Sequence, residues 1–275
     1  MSSTLKSKIS LAIGLAAVLC SATAAAQPSP AAADASSNAP PLVTWDVLAS
    51  HSSLSAGLPD GESLSLRFAW QLAGGDSLNA ELLDERKFGA HGGVAALAYT
   101  RVLSPDWFGT GSLVFGHGGP NWANARGDVQ LSRKWLAQRQ LVTSVAATYA
   151  VFDNQRSDSG LRLSAAWYLQ LPAVLEAGVL FNRSQPGRIT SQMPYVSATF
   201  GRQGEQYLSL RASSGTEAYQ ALGAEAQLVN FHSRSVAATW RRWIAPQWGF
   251  TAQAEQYNNP TYQRNTLGLG LFAKW

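Results

Sequence analysis

The sequence is poor in cysteine, in long apolar runs and in net charge. Its single cysteine, Cys20, lies in an N-terminal segment that we expect to be removed, which excludes a disulfide framework and thiol chemistry in the mature chain. Loss of Lys6 and Lys8 leaves 19 basic residues (21 minus 2) against 17 acidic ones. The near-neutral balance gives no argument for nucleic-acid binding. We predict no nucleic-acid partner, no metal and no organic cofactor.

The first 26 residues have the three parts of a secretory signal peptide. A basic start is followed by a short apolar run and then by the small residues that precede a cleavage site, which we place after Ala26. The apolar run is too short to span a bilayer as a helix, for which about 20 residues are needed. A lipidated Cys20 is the alternative, and Leu19 before it argues against that interpretation. Residues 27–41 are rich in Pro, Ala and Ser, which predicts a disordered spacer.

From about Leu42 onward, no window shows a sustained helical apolar stripe. Apolar and polar residues alternate instead in segments such as "SLSLRFAWQL" (63–72), "LRLSAAWYLQ" (161–170) and "WGFTAQAEQY" (248–257). This two-residue period predicts β-strands with one apolar face. Both a soluble β-sandwich, which buries that face, and a transmembrane barrel, which turns it to lipid, produce such a pattern.

Three features favour the barrel. The strands are about 9 to 12 residues long, which suits a tilted membrane strand better than a soluble one. Tryptophans cluster near proposed strand ends, as in an interfacial girdle, and the signal peptide directs the chain to the envelope. The girdle candidates are Trp70, Trp107, Trp135, Trp243 and Trp248. We predict that residues 42–275 form one all-β domain, an antiparallel up-and-down barrel in the cell outer membrane.

The connections between strands alternate between short turns and longer polar loops. Six short turns and seven longer loops give 14 strands, with 12 or 16 as the alternative counts, and place both ends on the periplasmic side. The longest predicted loop covers residues 215–234, and others cover 88–93, 116–125 and 184–193. The chain ends in "LGLGLFAKW", which we predict to close the barrel against the first strand, "LVTWDVLAS" (42–50). Its expected assembly signal is Gly270, Ala273 and Trp275.

The succession of strands from "DVQLSRKW" to the end resembles the YaiO family of outer-membrane β-barrels. The likeness is carried by "YLSLRASSG", "SRSVAATWRRWIAPQWGFTAQAEQY" and "TLGLGLFAKW". This resemblance implies an outer-membrane barrel protein, with a link in some members to polysaccharide synthesis genes. It implies no catalytic residues.

In the predicted register, charged and aromatic side chains point into the lumen. We single out Arg67, Lys134, Arg162, Tyr168, Arg211, Arg241, Glu255 and Tyr257. One interpretation is that the charges pair across the interior and hold water, which suits a structural or docking barrel. The other is a polar conduit for a hydrophilic solute, such as an exported polysaccharide. In that case Tyr168, Tyr195, Tyr257 and Phe272 could stack on sugar rings.

A surface hydrolase is the third and weakest alternative. His51 and Ser52 in "HSS" could belong to a lipid-hydrolysing site on the barrel wall, but the flanking residues match no motif of that kind. We therefore expect no enzymatic activity and no catalytic residues. The expected partners are outer-membrane lipid, the barrel-assembly machinery, and polysaccharide or periplasmic export components.

Overall fold

The computed structural model describes residues 43–222 and 227–275. The described chain forms 14 strands, which are β1 (Val43–Leu54), β2 (Gly61–Gln71), β3 (Ser77–Lys87), β4 (Ala90–Val102), β5 (Trp107–His117), β6 (Ala125–Trp135), β7 (Leu141–Val151), β8 (Ser157–Tyr168), β9 (Ala173–Gln185), β10 (Ile189–Arg202), β11 (Gln206–Ala221), β12 (Gln227–Ala245), β13 (Trp248–Asn258) and β14 (Gln263–Lys274). Its helical segments are two 3₁₀ turns, at Ala73–Gly75 and Asp153–Gln155, and neither has the length or apolarity of a membrane-spanning helix. The predicted signal peptide and spacer lie outside the described residues.

Each strand pairs antiparallel with the next, and β1 pairs with β14, so the sheet is a closed barrel. The closing pair runs in register from Thr44 opposite Lys274. Beyond it, Val43 and Trp275 exchange two backbone hydrogen bonds of 3.0 Å each. Closure leaves no unpaired edge, which a lipid environment requires. The predicted fold, the count of 14 and the closing role of the last strand are confirmed.

The two faces of the barrel differ sharply in polarity. Asp46 on β1 forms an ion pair with Arg241 on β12, although β13 and β14 lie between them in the sheet. Only the inner face can bring such side chains together, and this fixes which residues point inward. Apolar side chains dominate the outer face, and its most exposed members include Leu113, Phe115, Val129, Val236, Leu267, Leu269 and Leu271.

The two ends of the barrel differ in how well the sequence predicts them. The terminal end, which carries Val43 and Trp275, has short turns near all six predicted places. At the opposite, distal end the strands run further than expected. The β3–β4 connection is only residues 88–89, the β9–β10 connection only 186–188, and β11 and β12 occupy most of the predicted 215–234 loop. The loop prediction was wrong there because those polar residues satisfy their backbone groups by pairing across the hairpin.

The tryptophan girdle at the terminal end needs one correction. Trp107, Trp135 and Trp248 are exposed on the outer face as predicted. Trp243 instead points inward, with its ring 4.8 Å from that of Phe272 and its neighbour in register at Gly249. A β-bulge lies between Trp243 and Ala245. It shifts the register of β12 after Trp243, so the outward positions that follow do not put Trp243 on the outer face.

Candidate functional site

The structure places all eight predicted lumen residues at inner-face positions of their strands. They are Arg67, Lys134, Arg162, Tyr168, Arg211, Arg241, Glu255 and Tyr257. Arg67 Nε donates to Glu81 Oε1 of the next strand at 2.8 Å. Glu255 Oε1 likewise accepts from Arg264 Nη2 at 2.9 Å. In both cases the partner lies on the adjacent strand, so the pair stays against the wall.

Two further inner-face ion pairs have different spacings in the sheet. Arg126 Nη2 and Asp128 Oδ1, 2.6 Å apart, belong to one strand. Asp46 and Arg241 are three strands apart along the curved wall. The Asp46–Arg241 pair therefore fits the expectation that charges pair across part of the interior. The other three pairs stay within one strand or between neighbouring strands.

Small hydroxyl side chains line much of the inner wall. Cross-strand pairs of serine and threonine hydroxyls lie 2.8–2.9 Å apart, at Ser50–Ser63, Ser52–Thr266, Thr100–Thr110, Ser132–Ser144, Thr199–Ser209 and Ser213–Ser235. Arg162 and Gln130 extend one of these pairs, since Arg162 Nη2 donates to Gln130 Oε1 at 2.6 Å and Gln130 Nε2 donates to Ser132 Oγ at 3.0 Å. A hydroxyl can donate once and accept twice, so each pair keeps hydrogen-bonding capacity for a solute.

The inner aromatic rings are less available than the sequence suggests. Tyr195 is 6% exposed, and the Arg211 guanidinium lies 3.8 Å from the centre of its ring. Phe272 is 1% exposed, with Arg241 at 3.6 Å from its ring centre. Tyr257 is also buried. These three rings are buried, and cation–π contacts cover their faces, so no free face is left to stack on a sugar. This corrects the expectation that they would stack on sugars.

An apolar group of side chains closes over part of the distal end, and we call it the distal cluster. Its buried rings are Phe88, Tyr257 and Tyr262, against which Leu54, Leu58, Leu222 and Leu228 pack. Phe88 and Tyr262 meet edge to face at 5.5 Å between ring centres, although they belong to loops four strands apart. Burial in this cluster raises the pKa of the Tyr262 hydroxyl. Both loops therefore lean inward over the lumen.

Polar contacts hold the distal cluster in place. Asn259 Oδ1 accepts the backbone N–H groups of Thr261 and Tyr262, each at 2.9 Å, which fixes the β13–β14 loop. Asn259 Nδ2 donates to Gln220 Oε1 at 3.0 Å. Below them, the Tyr257 hydroxyl donates to a carboxylate of β11. The loop is thus anchored to β11, two strands away from β13 in the sheet.

A second loop at the distal end folds into the lumen, and the sequence did not predict this. Trp122, in the predicted 116–125 loop, is fully buried in the lumen, and its Nε1–H donates to Glu85 Oε2 at 3.1 Å. It packs in a cluster with Leu83, Val94 and Val114. Gly92 makes room for it, because a Cβ at Gly92 would lie 2.6 Å from the indole ring. The one available signal was a large aromatic in an otherwise small, polar loop.

A different kind of site lies on the outer surface near the distal end, and we call it the wall groove. It is an open cavity of about 710 Å³. Its lining combines polar and apolar residues and includes His51, Glu62, Leu64, Asp84, Arg86, His91, Leu267 and Leu269. Ser52 is not near it, since Ser52 Oγ lies 2.8 Å from Thr266 Oγ1 inside the lumen. The His51–Ser52 pair considered from the sequence is therefore divided between the two faces of β1.

Comparisons with known proteins agree with this architecture. The model of the YaiO membrane beta barrel domain matches residues 44–220. A bacterial polysaccharide outer membrane secretin is similar in structure at 11% identity and a TM-score of 0.53, over 85% of this chain and 98% of that one. The outer membrane protein Omp33 of Acinetobacter baumannii is also similar, at 10% identity and a TM-score of 0.50, over 85% of this chain and 99% of that one. Outer-membrane expressed OmpT of Vibrio cholerae is similar at 6% identity and a TM-score of 0.50, over 85% of this chain and 97% of that one. At such identities the likeness shows the fold alone. A search of curated proteins finds no match.

Proposed function

Because this chain belongs to the YaiO family of membrane β-barrel domains and is an outer-membrane barrel, we propose that its lumen is a conduit for a hydrophilic solute. Barrels of this class place short turns in the periplasm and longer loops outside the cell. The terminal end then faces the periplasm and the distal end faces the exterior. Material moving outward would meet the distal cluster last.

The observation that carries the proposal is the inner wall of paired hydroxyls. Serine and threonine side chains are short, and they bond to their neighbours on the next strand instead of reaching into the lumen. Three of the inner-face ion pairs also stay within one strand or between neighbouring strands, whereas the Asp46–Arg241 pair spans three strands. Barrels of about eight strands are filled by side chains, whereas those of about 16 to 18 hold a water-filled channel. Fourteen strands, with many short hydroxyl side chains bound to the wall, favour a channel.

We propose a saccharide, and an exported polysaccharide in particular, as the solute. Sugars present hydroxyl groups that exchange hydrogen bonds with serine, threonine, amide and guanidinium groups, and these are the groups along the wall. Conduction also requires that a solute bind weakly enough to leave again. The covered rings of Tyr195 and Phe272 suit this need, since they offer no bare stacking face that would hold a sugar. Periplasmic export components would deliver the chain to the terminal end.

The alternative is a docking barrel with a closed lumen, and the distal cluster is the observation that favours it. Phe88 and Tyr262 meet above the lumen, and Trp122 fills further space below the mouth. We assign the cluster instead as a constriction at the outer end of the conduit. Phe88 and Tyr262, which meet above the lumen, are loop residues at the rim, whereas the wall beneath carries the hydroxyl pairs.

Permeation of neutral oligosaccharides tests this function. Proteoliposomes with the purified barrel should swell in isotonic solutions of glucose and short maltooligosaccharides, and the rate should fall as chain length grows. Protein-free vesicles from the same lipid give the background. The conduit is wrong if swelling stays at background for every sugar, both in the wild-type barrel and in a variant without the two rings of the constriction.

A further inference from the structure

The wall groove lies where the apolar band of the barrel meets polar residues. Leu64, Leu267 and Leu269 form its lower part and are 52%, 69% and 71% exposed on the outer face. His51 stands directly opposite Leu267 in the β1–β14 register, at the distal limit of these leucines. The groove therefore sits at the boundary between the acyl chains and the headgroups of the outer leaflet.

Three residues in or next to this groove have the types of a hydrolytic triad: His51 and Glu62 line it, and Ser53 lies beside it on β1. Ser53 follows His51 by two residues on the same outward face of β1, a separation of about 6.7 Å along the strand. Glu62 stands directly opposite His51 in the β1–β2 register, where Cβ atoms are roughly 4.5–5.5 Å apart. His51 and Ser53 are both exposed. These separations are short enough that a change of the His51 rotamer can turn the imidazole toward either group.

The imidazole already stands beside an acid. His51 Nε2 is 3.7 Å from Asp60 Oδ2, and the other oxygen of Asp60 accepts the Leu54 N–H at 3.0 Å. Asp60 is thus held against the end of β1, whereas Glu62 lines the groove together with His51. Catalytic hydrogen bonds are often long before substrate binds. We assign the positioning role to Glu62 on its place in the groove.

We propose that the wall groove is an esterase site for a membrane lipid, with Ser53 as nucleophile, His51 as general base and Glu62 as the residue that positions the imidazole. Ser53 Oγ attacks the ester carbonyl carbon while its proton passes to His51. The C–O bond to the alcohol then breaks, the alcohol takes that proton, and the acyl group stays on Ser53. Water attacks the acyl-serine through His51 and releases the fatty acid, so ester and water give alcohol and acid.

The residues around the triad indicate the substrate class. The leucines of the groove offer a surface for a fatty acyl chain, and Arg86 and His91 at its polar rim can meet a phosphate. Asp84 Oδ2 accepts a hydrogen bond from His91 Nε2 at 2.8 Å, which keeps that ring at the rim. The substrate is then an acyl ester on a phosphorylated lipid. Glycerophospholipid and the lipid A part of lipopolysaccharide share this chemistry.

The chain offers two matched controls. Ser52 is next to the proposed nucleophile but points into the lumen, where it bonds to Thr266. Ser214 and His232 form a second outward serine–histidine pair, with 3.1 Å between Oγ and Nε2. Their register partners are Arg234 and Thr216, and neither is an acid. A pair without a positioning carboxylate should not be active.

The first experiment uses the folded barrel in detergent with a long-chain fluorophosphonate probe, which labels activated serines. We expect the probe to label residue 53 in the wild type and in the two control variants, Ser52→Ala and Ser214→Ala. We expect no labelling in Ser53→Ala or in His51→Gln. The second measures fatty acid released from mixed micelles of phosphatidylethanolamine and phosphatidylglycerol, and in a separate arm from purified lipopolysaccharide. Release should fall by roughly 10³-fold or more in Ser53→Ala.

The two lipid arms identify the source of the ester, and activity in either one supports the site. Glu62→Gln should reduce the rate and change its pH profile, because the imidazole loses its positioning partner, whereas a merely structural change would leave the profile unaltered. A wild-type barrel that is neither labelled nor active on either lipid overturns the proposal, and so does a Ser53→Ala variant that keeps full activity. Conductance through the lumen is independent of these outcomes, so this proposal and the conduit can fail separately.

Discussion

Replacing Phe88 and Tyr262 together by alanine is expected to raise the single-channel conductance of the barrel severalfold. The two rings meet edge to face above the lumen at 5.5 Å between their centres, and they form most of the buried aromatic surface of the distal cluster. Both lie in loops at the rim, so their loss leaves the strand pairing of the wall unchanged. Recordings from single molecules in planar lipid bilayers measure the effect.

Tyr149→Ala is the matched control for this double variant. Tyr149 is an aromatic residue on the outer face and is 57% exposed, so its removal should change neither the lumen nor the conductance. A heat-modifiable gel shift shows that each variant has folded. Equal conductance in the double variant and the wild type would mean that the distal cluster does not limit passage.

The second large effect is expected at the end of the chain. Trp275→Asp should impair assembly of the barrel far more than Lys274→Asp does. Trp275 is 65% exposed on the outer face at the terminal end and exchanges two backbone hydrogen bonds with Val43. Lys274 points inward, where a new charge stays solvated. An outward charge near the interface costs only about 0 to 1 kcal/mol, so the loss should arise chiefly in recognition by the assembly machinery.

The folded fraction of each variant in membrane preparations measures this effect, again through the heat-modifiable gel shift. Gly270 and Ala273 belong to the same proposed assembly signal. If Trp275→Asp inserts as well as Lys274→Asp, the terminal aromatic plays no part in assembly, whatever the closing strand contributes to the fold.

The fold could be predicted because strand alternation is a local property of the sequence. In "TLGLGLFAKW" the apolar outer face can be identified from the order of residues alone, and five of the six short turns at the terminal end follow from their Gly, Pro or Asp content. The alternation of faces along a strand also determines the side on which Trp243 lies. Trp243 is two residues from inward Arg241 and therefore shares its face, which excludes it from an outer girdle.

The distal end could not be predicted in the same way. Polar residues of 215–221 and 227–234 look like a loop, because sequence polarity does not reveal that strands continue beyond the membrane. The inward folding of Trp122 depends on space left by Gly92 on another strand, and that contact is non-local. The wall groove joins β1, β2, β3 and β14, so its residues meet only after the barrel closes.

The conduit is tested most directly by the planar-bilayer trace of the unmodified barrel. The inner wall of paired hydroxyls predicts small but resolvable steps of constant size, which added maltooligosaccharide reduces as it enters the lumen. The double variant Phe88→Ala, Tyr262→Ala should give larger steps under the same conditions. Absence of steps in both proteins, while both show the heat-modifiable shift of a folded barrel, would contradict an open lumen and leave a closed docking barrel as the function.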